Sequence, residues 1–194
     1  ESLERLRTDY LDIFVAHDIE FGDARQIVEE TIPALERIKQ SGKVLNIGIT
    51  GFPPKFLARI AEQGDDLDVI LNYAHWNLLV QDVDDSLVPL AARRGLGLNL
   101  GVLTTGTVPD WHPAPAEVKN AGRQVVELLE GQGIEAPVFA LRYAMDHTAF
   151  ATTLVGIRNP RELEQNLKAI DYRIDPEVLE QLQPVIDPVR NRTW

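Results

Sequence analysis

Short, dense apolar runs alternate along this chain with longer segments in which apolar residues recur at helical spacing. The dense runs predict strands, because a strand covered on both faces of a sheet is apolar throughout. The amphipathic segments predict helices that bury one face. The predicted strands are 10–16, 44–50, 68–76, 96–103 and 151–157, and the predicted helices are 26–40, 53–63, 87–94, 117–130, 137–145, 160–170 and 176–185.

Strand–helix alternation of this kind is typical of parallel α/β folds, in which helices cover a parallel sheet or surround a barrel. Ligands in such folds bind at the carboxyl ends of the strands. Four segments that lie at predicted strand ends are therefore the places where chemistry is expected. They are 17–23, 50–52, 73–77 and 156–159.

Composition narrows the function classes. The chain has 194 residues, with 19 Lys and Arg against 30 Asp and Glu, which gives a formal net charge of −11. This acidity opposes binding to a phosphate backbone, so no nucleic-acid partner is expected. The absence of cysteine excludes disulfides and thiolate metal sites, and no apolar run reaches the roughly 20 residues of a membrane helix. We expect a cytoplasmic protein with no membrane partner.

The first predicted strand ends at a histidine, His17, which acidic side chains follow closely. Three interpretations are open: a core residue bonded to a backbone carbonyl, a metal ligand, or a donor that polarises a substrate oxygen. A single histidine without a second one at ligand spacing makes a poor metal site. A metal-dependent hydrolase that uses His17, Asp18 and Glu20 would need further ligands, so no metal site is predicted.

Residues 156–160 (GIRNP) follow the fifth predicted strand and open a helix. The chain contains no Gly-rich phosphate loop of the GxGxxG or GxxxxGK type. Free N–H groups at a helix start, beside an arginine, can also hold a phosphate. Asn159 with Glu162 three residues later equally fits an ordinary capping box, so both interpretations stand.

Four stretches of the chain resemble the aldo-keto reductase family. They are SLERLRTDYLDIFVAHDIEFGD, TIPALERIKQSGKVLNIGITGF, PDWHPAPAEVK and LVGIRNPRELEQNLKAI. HDIEFG and PDWHPA are the most specific parts, and they are most similar to the aldose 1-dehydrogenase branch, which acts on sugars such as L-galactose and D-threo-aldoses. The resemblance covers essentially the whole chain.

The resemblance implies a (β/α)8 TIM barrel, of which this chain carries about five strand–helix units, as the C-terminal portion (strand four onward) of a single domain covering 1–194. It implies hydride transfer from C1 of an aldose of the L-galactose, L-fucose or D-arabinose type to a nicotinamide cofactor, which yields the lactone. The family's catalytic aspartate, tyrosine and lysine would precede the first strand, so the chain alone is expected to be inactive. A non-catalytic binding or auxiliary protein of the same fold is the alternative.

The resemblance also assigns roles to single residues at the nicotinamide end. His17 matches the histidine that hydrogen-bonds the reacting oxygen, so its imidazole is expected on the floor of a pocket. Thr50 and Tyr73 fall at positions that contact the cofactor carboxamide. Gly51 stands where the family has an asparagine and offers no side chain. The expected substrate contacts, with a small sugar as partner, are Asp18, Trp111 and His112.

The adenosine end of the cofactor is assigned to the segment after the last predicted strand. Glu162 falls where NADP-dependent members carry an arginine for the 2′-phosphate. A carboxylate there repels that phosphate and accepts bonds from ribose hydroxyls, so NAD is expected, with NADP as the second possibility. The other residues assigned to this end are Gly156, Ile157, Arg158, Gln165 and Asn166.

Overall fold

The computed structural model describes residues 1–102 and 113–193, without the side chains of 101 and 102. The strands are β1 (Leu11–Ala16), β2 (Val44–Gly51), β3 (Val69–Tyr73), β4 (Gly97–Val102) and β5 (Phe150–Val155). The helices are α1 (Ser2–Leu6), α2 (Ala24–Gln26), α3 (Ile32–Gln40), α4 (Pro54–Ala61), α5 (Leu87–Arg94), α6 (Ala116–Gly131), α7 (Ala136–Met145), α8 (Pro160–Asp171) and α9 (Pro176–Ile186). Short helical turns cover Ile19–Phe21, Ile27–Thr31, Asp82–Asp85 and Asp187–Val189.

The five strands form one sheet in the order β1-β2-β3-β4-β5. β1 pairs with β2 in parallel, with Leu11 opposite Val44, and β2 pairs with β3 in parallel, with Gly48 opposite Val69. Strand order that follows chain order, with a helix between successive strands, is the arrangement of βαβ units. The five predicted strands and the parallel α/β class are confirmed.

The third strand is shorter than predicted, because it ends at Tyr73 and not at residue 76. Ala74 adopts a left-handed backbone conformation with φ of 63°. Asn77 then stabilises a turn, since its Nδ2 donates to the carbonyl of Ala74 and its Oδ1 accepts from the amides of Leu79 and Val80. A side chain that bonds its own backbone competes with the sheet, which the apolar pattern of this segment does not reveal.

The described chain folds into two compact units. The first comprises Glu1–Tyr73, Val83–Leu100 and Ala149–Ala151, and the second comprises Ala74–Asp82, Gly101–Thr148 and Thr152–Trp194. In the first unit the core lies on β2 and β3, where Ile47, Ile49 and Ile70 are fully buried. In the second, α6, α7 and α9 pack around Phe139 and Leu182. The single-domain assignment for 1–194 stays a prediction.

β1 was expected to be buried on both faces, and that expectation is wrong. Ile13 is 48 % exposed and Phe14 is 38 % exposed. Within the described residues, β1 is the first strand in the sheet order and pairs with β2 alone, so it lacks a neighbour on its other side. The apolar composition of a strand indicates that both of its faces favour burial. The position of the strand in the sheet decides whether neighbouring elements bury them.

Over residues 1–102 and 113–193, no helix combines the length and apolar character needed to cross a bilayer.

Candidate active site

His17 and Asp18 follow the carboxyl end of β1. His17 Nδ1 lies 3.4 Å from Asp18 Oδ2, and the His17 side chain is 79 % exposed. The His17 imidazole was expected on the floor of a pocket, but within the described residues it is largely exposed. His17 follows the edge strand β1, so no described strand covers it on the far side. Asp18 has φ of 48° and ψ of 55°, the left-handed conformation that aspartate tolerates better than most residues. This bend turns the Asp18 carboxylate toward β2 and β3.

Thr50, near the end of β2, anchors the Asp18 backbone. The Asp18 amide donates to Thr50 Oγ1 at 2.9 Å, and the Thr50 hydroxyl lies 3.5 Å from Asp18 Oδ1. Thr50 is only 2 % exposed. Its hydroxyl is engaged with Asp18, so in the described structure Thr50 orients the loop after β1.

Tyr73 ends β3 beside two carboxylates. Its hydroxyl lies 3.4 Å from Asp18 Oδ1 and 3.5 Å from Glu20 Oε1, which are long hydrogen bonds. Burial, followed by the negative charges of Glu20 and Asp18, raises the pKa of Tyr73 to about 12. The phenol therefore stays protonated at neutral pH. We call His17, Asp18, Glu20, Thr50 and Tyr73 the Tyr73 cluster.

Glu20 is a member of this cluster that the site predictions did not select. Its Oε1 accepts a hydrogen bond from the Phe52 amide at 2.8 Å. Asn72, which is fully buried, donates from Nδ2 to the carbonyls of Gly51 at 3.0 Å and Phe52 at 2.8 Å. The sequence did contain a signal, since a side chain missing at Gly51 leaves room that an acid of the HDIEFG segment can fill.

A second cluster lies in the other compact unit, at the start of α8. A pocket of about 360 Å³ opens there, which we call the α8 pocket. Four of the residues predicted at the adenosine end line it together: Arg158, Glu162, Gln165 and Asn166. Glu130, Glu135 and Arg161 contribute further charges to its wall.

Arg158 and Glu162 form a close ion pair at the α8 pocket. Glu162 Oε1 accepts from Arg158 Nη2 at 2.8 Å and from Nε at 3.0 Å, while Oε2 accepts from the Arg158 amide at 2.7 Å. The hydrogen bonds from Arg158 lower the pKa of Glu162. Asn159 caps α8 by accepting from the Glu162 amide at 3.0 Å. The N-cap half of the predicted capping box is confirmed, and the Glu162 carboxylate reaches one residue further back than expected.

The remaining predicted residues of the adenosine end lie on the same loop and helix. Among the described residues, Gly156 has no atom within 4 Å of the position a Cβ would take, so its backbone is open to close approach. Ile157 is exposed. Asn166 Nδ2 lies 3.5 Å from the Gly156 carbonyl, and Gln165 Nε2 donates to Glu135 Oε2 at 3.2 Å.

Trp111 and His112 lie outside the described residues, so the structure does not address their predicted substrate contacts. Among residues 1–102 and 113–193, no three His, Asp or Glu side chains form a group that could hold a metal ion. His75 is buried, and its Nδ1 lies 2.7 Å from Asp82 Oδ1.

Polar side chains at the carboxyl ends of parallel strands, with a charge pair at the start of the helix that follows β5, define an α/β protein of the strand-end ligand-binding type. The model of the Aldo/keto reductase family matches residues 1–187. The chain belongs to the aldo-keto reductase family, as the sequence predicted.

Characterised relatives share sequence along nearly the whole chain. L-galactose dehydrogenase of Arabidopsis thaliana is 37 % identical over 206 residues, covering 100 % of this chain and 64 % of the relative. D-arabinose 1-dehydrogenase of Saccharomyces cerevisiae is 27 % identical over 182 residues, covering 84 % of this chain and 53 % of the relative. The chain therefore spans between half and two thirds of the length of these relatives.

Solved structures agree in fold. Aldo-keto reductase AKR11C1 from Bacillus halodurans, in its holo form, matches with a TM-score of 0.73 at 21 % identity, covering 99 % of this chain and 65 % of the other. An aldo-keto reductase from Klebsiella pneumoniae in complex with NADP and acetate matches with a TM-score of 0.63 at 21 % identity, covering 95 % and 62 %. The predicted fold class, the aldo-keto reductase type, is confirmed.

Proposed function

We propose that the protein carrying this chain is an aldose 1-dehydrogenase that uses NAD. It oxidises C1 of a sugar of the L-galactose, L-fucose or D-arabinose type to the lactone. The observation that carries the proposal is the 37 % identity to L-galactose dehydrogenase along the entire chain. The match to D-arabinose 1-dehydrogenase supports the same substrate class. Residues 1–194 act as part of one aldo-keto reductase domain in this proposal.

His17 and Asp18 are the proposed sugar contacts of the Tyr73 cluster. A neutral imidazole donates from one ring nitrogen, so His17 hydrogen-bonds the reacting C1 oxygen and orients it. The Asp18 carboxylate is partly exposed and accepts from sugar hydroxyls. Trp111 and His112 remain predicted substrate contacts.

The residues present fit a nicotinamide dinucleotide. The α8 pocket lies within the size range of small-ligand sites, and the Arg158 guanidinium lines it together with the Gln165 and Asn166 side-chain amides. NAD supplies the hydride acceptor when it is bound. Glu162 accepts from ribose hydroxyls, and three acids against two arginines line the pocket, which disfavours a 2′-phosphate. NAD is therefore the proposed cofactor over NADP.

Proton transfer requires a group that the Tyr73 cluster does not offer. A general acid works best when its pKa is near the operating pH, whereas the pKa of Tyr73 is raised to about 12. None of the tyrosines in this sequence matches the family's proton donor. We therefore expect the 194-residue chain alone to show no turnover.

The test is NADH formation at 340 nm by the full protein that carries this chain, with L-galactose, L-fucose and D-arabinose offered separately. We expect turnover with NAD, and a loss of about 10²- to 10³-fold in kcat for His17→Ala, the range typical of removing one hydrogen-bond donor to a reacting oxygen. His147→Ala is the matched control, because no role is assigned to that ring. Binding of NAD without oxidation of any aldose would identify a binding protein instead, and equal turnover with NADP would overturn the cofactor assignment.

A further inference from the structure

We propose that Glu20 is a positioning residue, which orients the Tyr73 hydroxyl as a hydrogen-bond acceptor for a primary amide of the ligand. The inference rests on the function proposed above, in which that amide is the carboxamide of the nicotinamide ring. It concerns a residue to which the resemblance assigns no role.

Glu20 fills the space that a side chain at residue 51 would occupy. A Cβ on Gly51 would lie 2.4 Å from Glu20 Oε2 and 3.0 Å from Leu57 Cδ2. Gly51 is not among the glycines with positive φ, so its backbone conformation is open to any residue. A side chain at residue 51 would therefore require Glu20 to move, and in this structure the Glu20 carboxylate occupies the space beside Gly51.

The backbone beside this pair is held from two sides. Glu20 Oε1 accepts from the Phe52 amide at 2.8 Å, and Asn72 Nδ2 donates to the carbonyls of Gly51 and Phe52. Because Asn72 is fully buried, this end of β2 cannot move away from Glu20 without breaking buried hydrogen bonds. Glu20 is thus fixed between the end of β2 and Tyr73.

Glu20 Oε2 is buried and has no hydrogen-bond partner within the described residues. An unpaired buried carboxylate oxygen lowers stability, and such a group in a native protein calls for an explanation in its function. The unpaired Oε2 belongs to the carboxylate whose other oxygen, Oε1, lies 3.5 Å from the Tyr73 hydroxyl.

Two carboxylates share the one proton of Tyr73. The hydroxyl lies within 3.4 Å of Asp18 Oδ1 and 3.5 Å of Glu20 Oε1, and a phenol has a single hydrogen to donate. When the phenol hydrogen points toward these carboxylates, the lone pairs of the phenol oxygen remain available to accept a hydrogen bond from the ligand. The ligand group must then be a donor, so an amide NH₂ fits, whereas the charge of Asp18 and Glu20 repels a carboxylate.

The test compares NAD with nicotinic acid adenine dinucleotide, in which a carboxylate replaces the carboxamide. Calorimetric titration of the full protein is expected to show a preference for NAD of at least about tenfold, since like charges placed together oppose binding. Glu20→Gln keeps the shape but removes the charge, and we expect it to reduce the preference to about threefold or less. Affinity for ADP-ribose, which lacks the nicotinamide ring, is expected to stay unchanged.

Two further variants separate positioning from general damage. Glu29→Gln removes an exposed carboxylate of the same unit and is expected to leave the preference unchanged. Gly51→Ala is expected to displace Glu20 and reduce the preference together with the melting temperature, and Glu20→Ala added to it is expected to restore part of the lost melting temperature. If Tyr73→Phe removes the preference for NAD while Glu20→Gln leaves that preference intact, the role of Glu20 is overturned.

Failure of the proposed function has a different signature. If the wild-type protein binds neither NAD nor ADP-ribose, the dinucleotide assignment fails, and the titration of Tyr73 in the full protein then decides the inference, measured as the difference between the ultraviolet titrations with Tyr73 and with Tyr73→Phe. A lower titration midpoint in Glu20→Gln would support orientation of Tyr73 by Glu20. An unchanged midpoint would overturn it.

Discussion

At the residue scale, the Tyr73 cluster joins side chains that are far apart in sequence. Asp18 and Thr50 are separated by 32 positions, and Asp18 and Tyr73 by 55. Each polar group in such a network limits the conformations of its partners, because an unpaired buried group is unfavourable. The cluster is therefore sensitive to single polar substitutions that leave the apolar core unchanged.

Thr50→Val tests the anchor of the loop after β1. Valine has nearly the same shape but leaves the Asp18 amide without its acceptor, so we expect a loss of about 1–3 kcal/mol in the free energy of unfolding. Urea denaturation measures it. Thr50→Ser, which retains the hydroxyl, is expected to lose less than half as much; equal losses would show that packing by the methyl group dominates.

Tyr73 makes stability depend on alkaline pH. Its pKa is raised to about 12, so the folded state holds the phenol proton more tightly than the unfolded chain, in which the pKa is about 10. The contribution is fully present below pH 10 and is lost as pH rises toward 12. Denaturation at a series of pH values should show a smaller alkaline decline for Tyr73→Phe. Tyr10→Phe, at an exposed tyrosine, is the control and should match the wild type.

At the element scale, α8 shows how one helix start brings a binding surface together. Asn159 caps the helix, Pro160 follows at its first position, and both choices are favoured there. Arg158 precedes the helix and lies against Glu162 one turn later. The helix start thus brings a charge pair to the α8 pocket, and in the proposed function the balance of that pair selects the phosphate chemistry that the pocket accepts.

Glu162→Gln tests this balance. Without the carboxylate, Arg158 is free to meet a 2′-phosphate, so we expect the affinity for NADP relative to NAD to rise about tenfold, the scale of one charge-assisted hydrogen bond. Paired dissociation constants from calorimetry measure the ratio. Glu164→Gln removes an exposed charge that does not line the α8 pocket and should leave the ratio unchanged. A ratio unchanged in both variants would contradict the assignment of Glu162.

At the scale of the whole molecule, β1 leaves apolar side chains exposed at an edge of the sheet. Ile13 and Phe14 lie on the strand, and Phe21 follows it with 86 % of its surface exposed. An edge strand offers unpaired backbone groups, and apolar side chains beside them favour association. The described chain therefore combines a buried parallel core with exposed apolar side chains along β1.

We expect the 194-residue chain to associate or precipitate on its own. Phe14→Lys places a charge on the edge strand and should raise the monomer fraction severalfold in sedimentation velocity, because charged edges resist strand pairing. Leu128→Lys, at a partly exposed position on α6, is the control and should change little. A monodisperse wild-type monomer with a cooperative melt would refute this expectation.

Much of the fold was predictable from the apolar pattern, and the failures have local causes. The β3 end was misplaced because Asn77 bonds its own backbone, which an apolar count cannot register. The part of the candidate site that lies in a recognised motif was predictable, since Arg158 and Glu162 line one pocket. Glu20 was missed because its importance depends on Gly51, a neighbour 31 positions away in sequence.

The sequence by itself determined the strand–helix alternation and the absence of thiol chemistry, since periodicity and composition act locally along the chain, and the resemblance of four stretches indicated the family. Tertiary structure decided the rest. It placed β1 at an edge, engaged Thr50 with Asp18, and set Glu20 against Gly51 beside Tyr73. These features depend on distances between residues that are remote in sequence, and only the folded chain sets those distances.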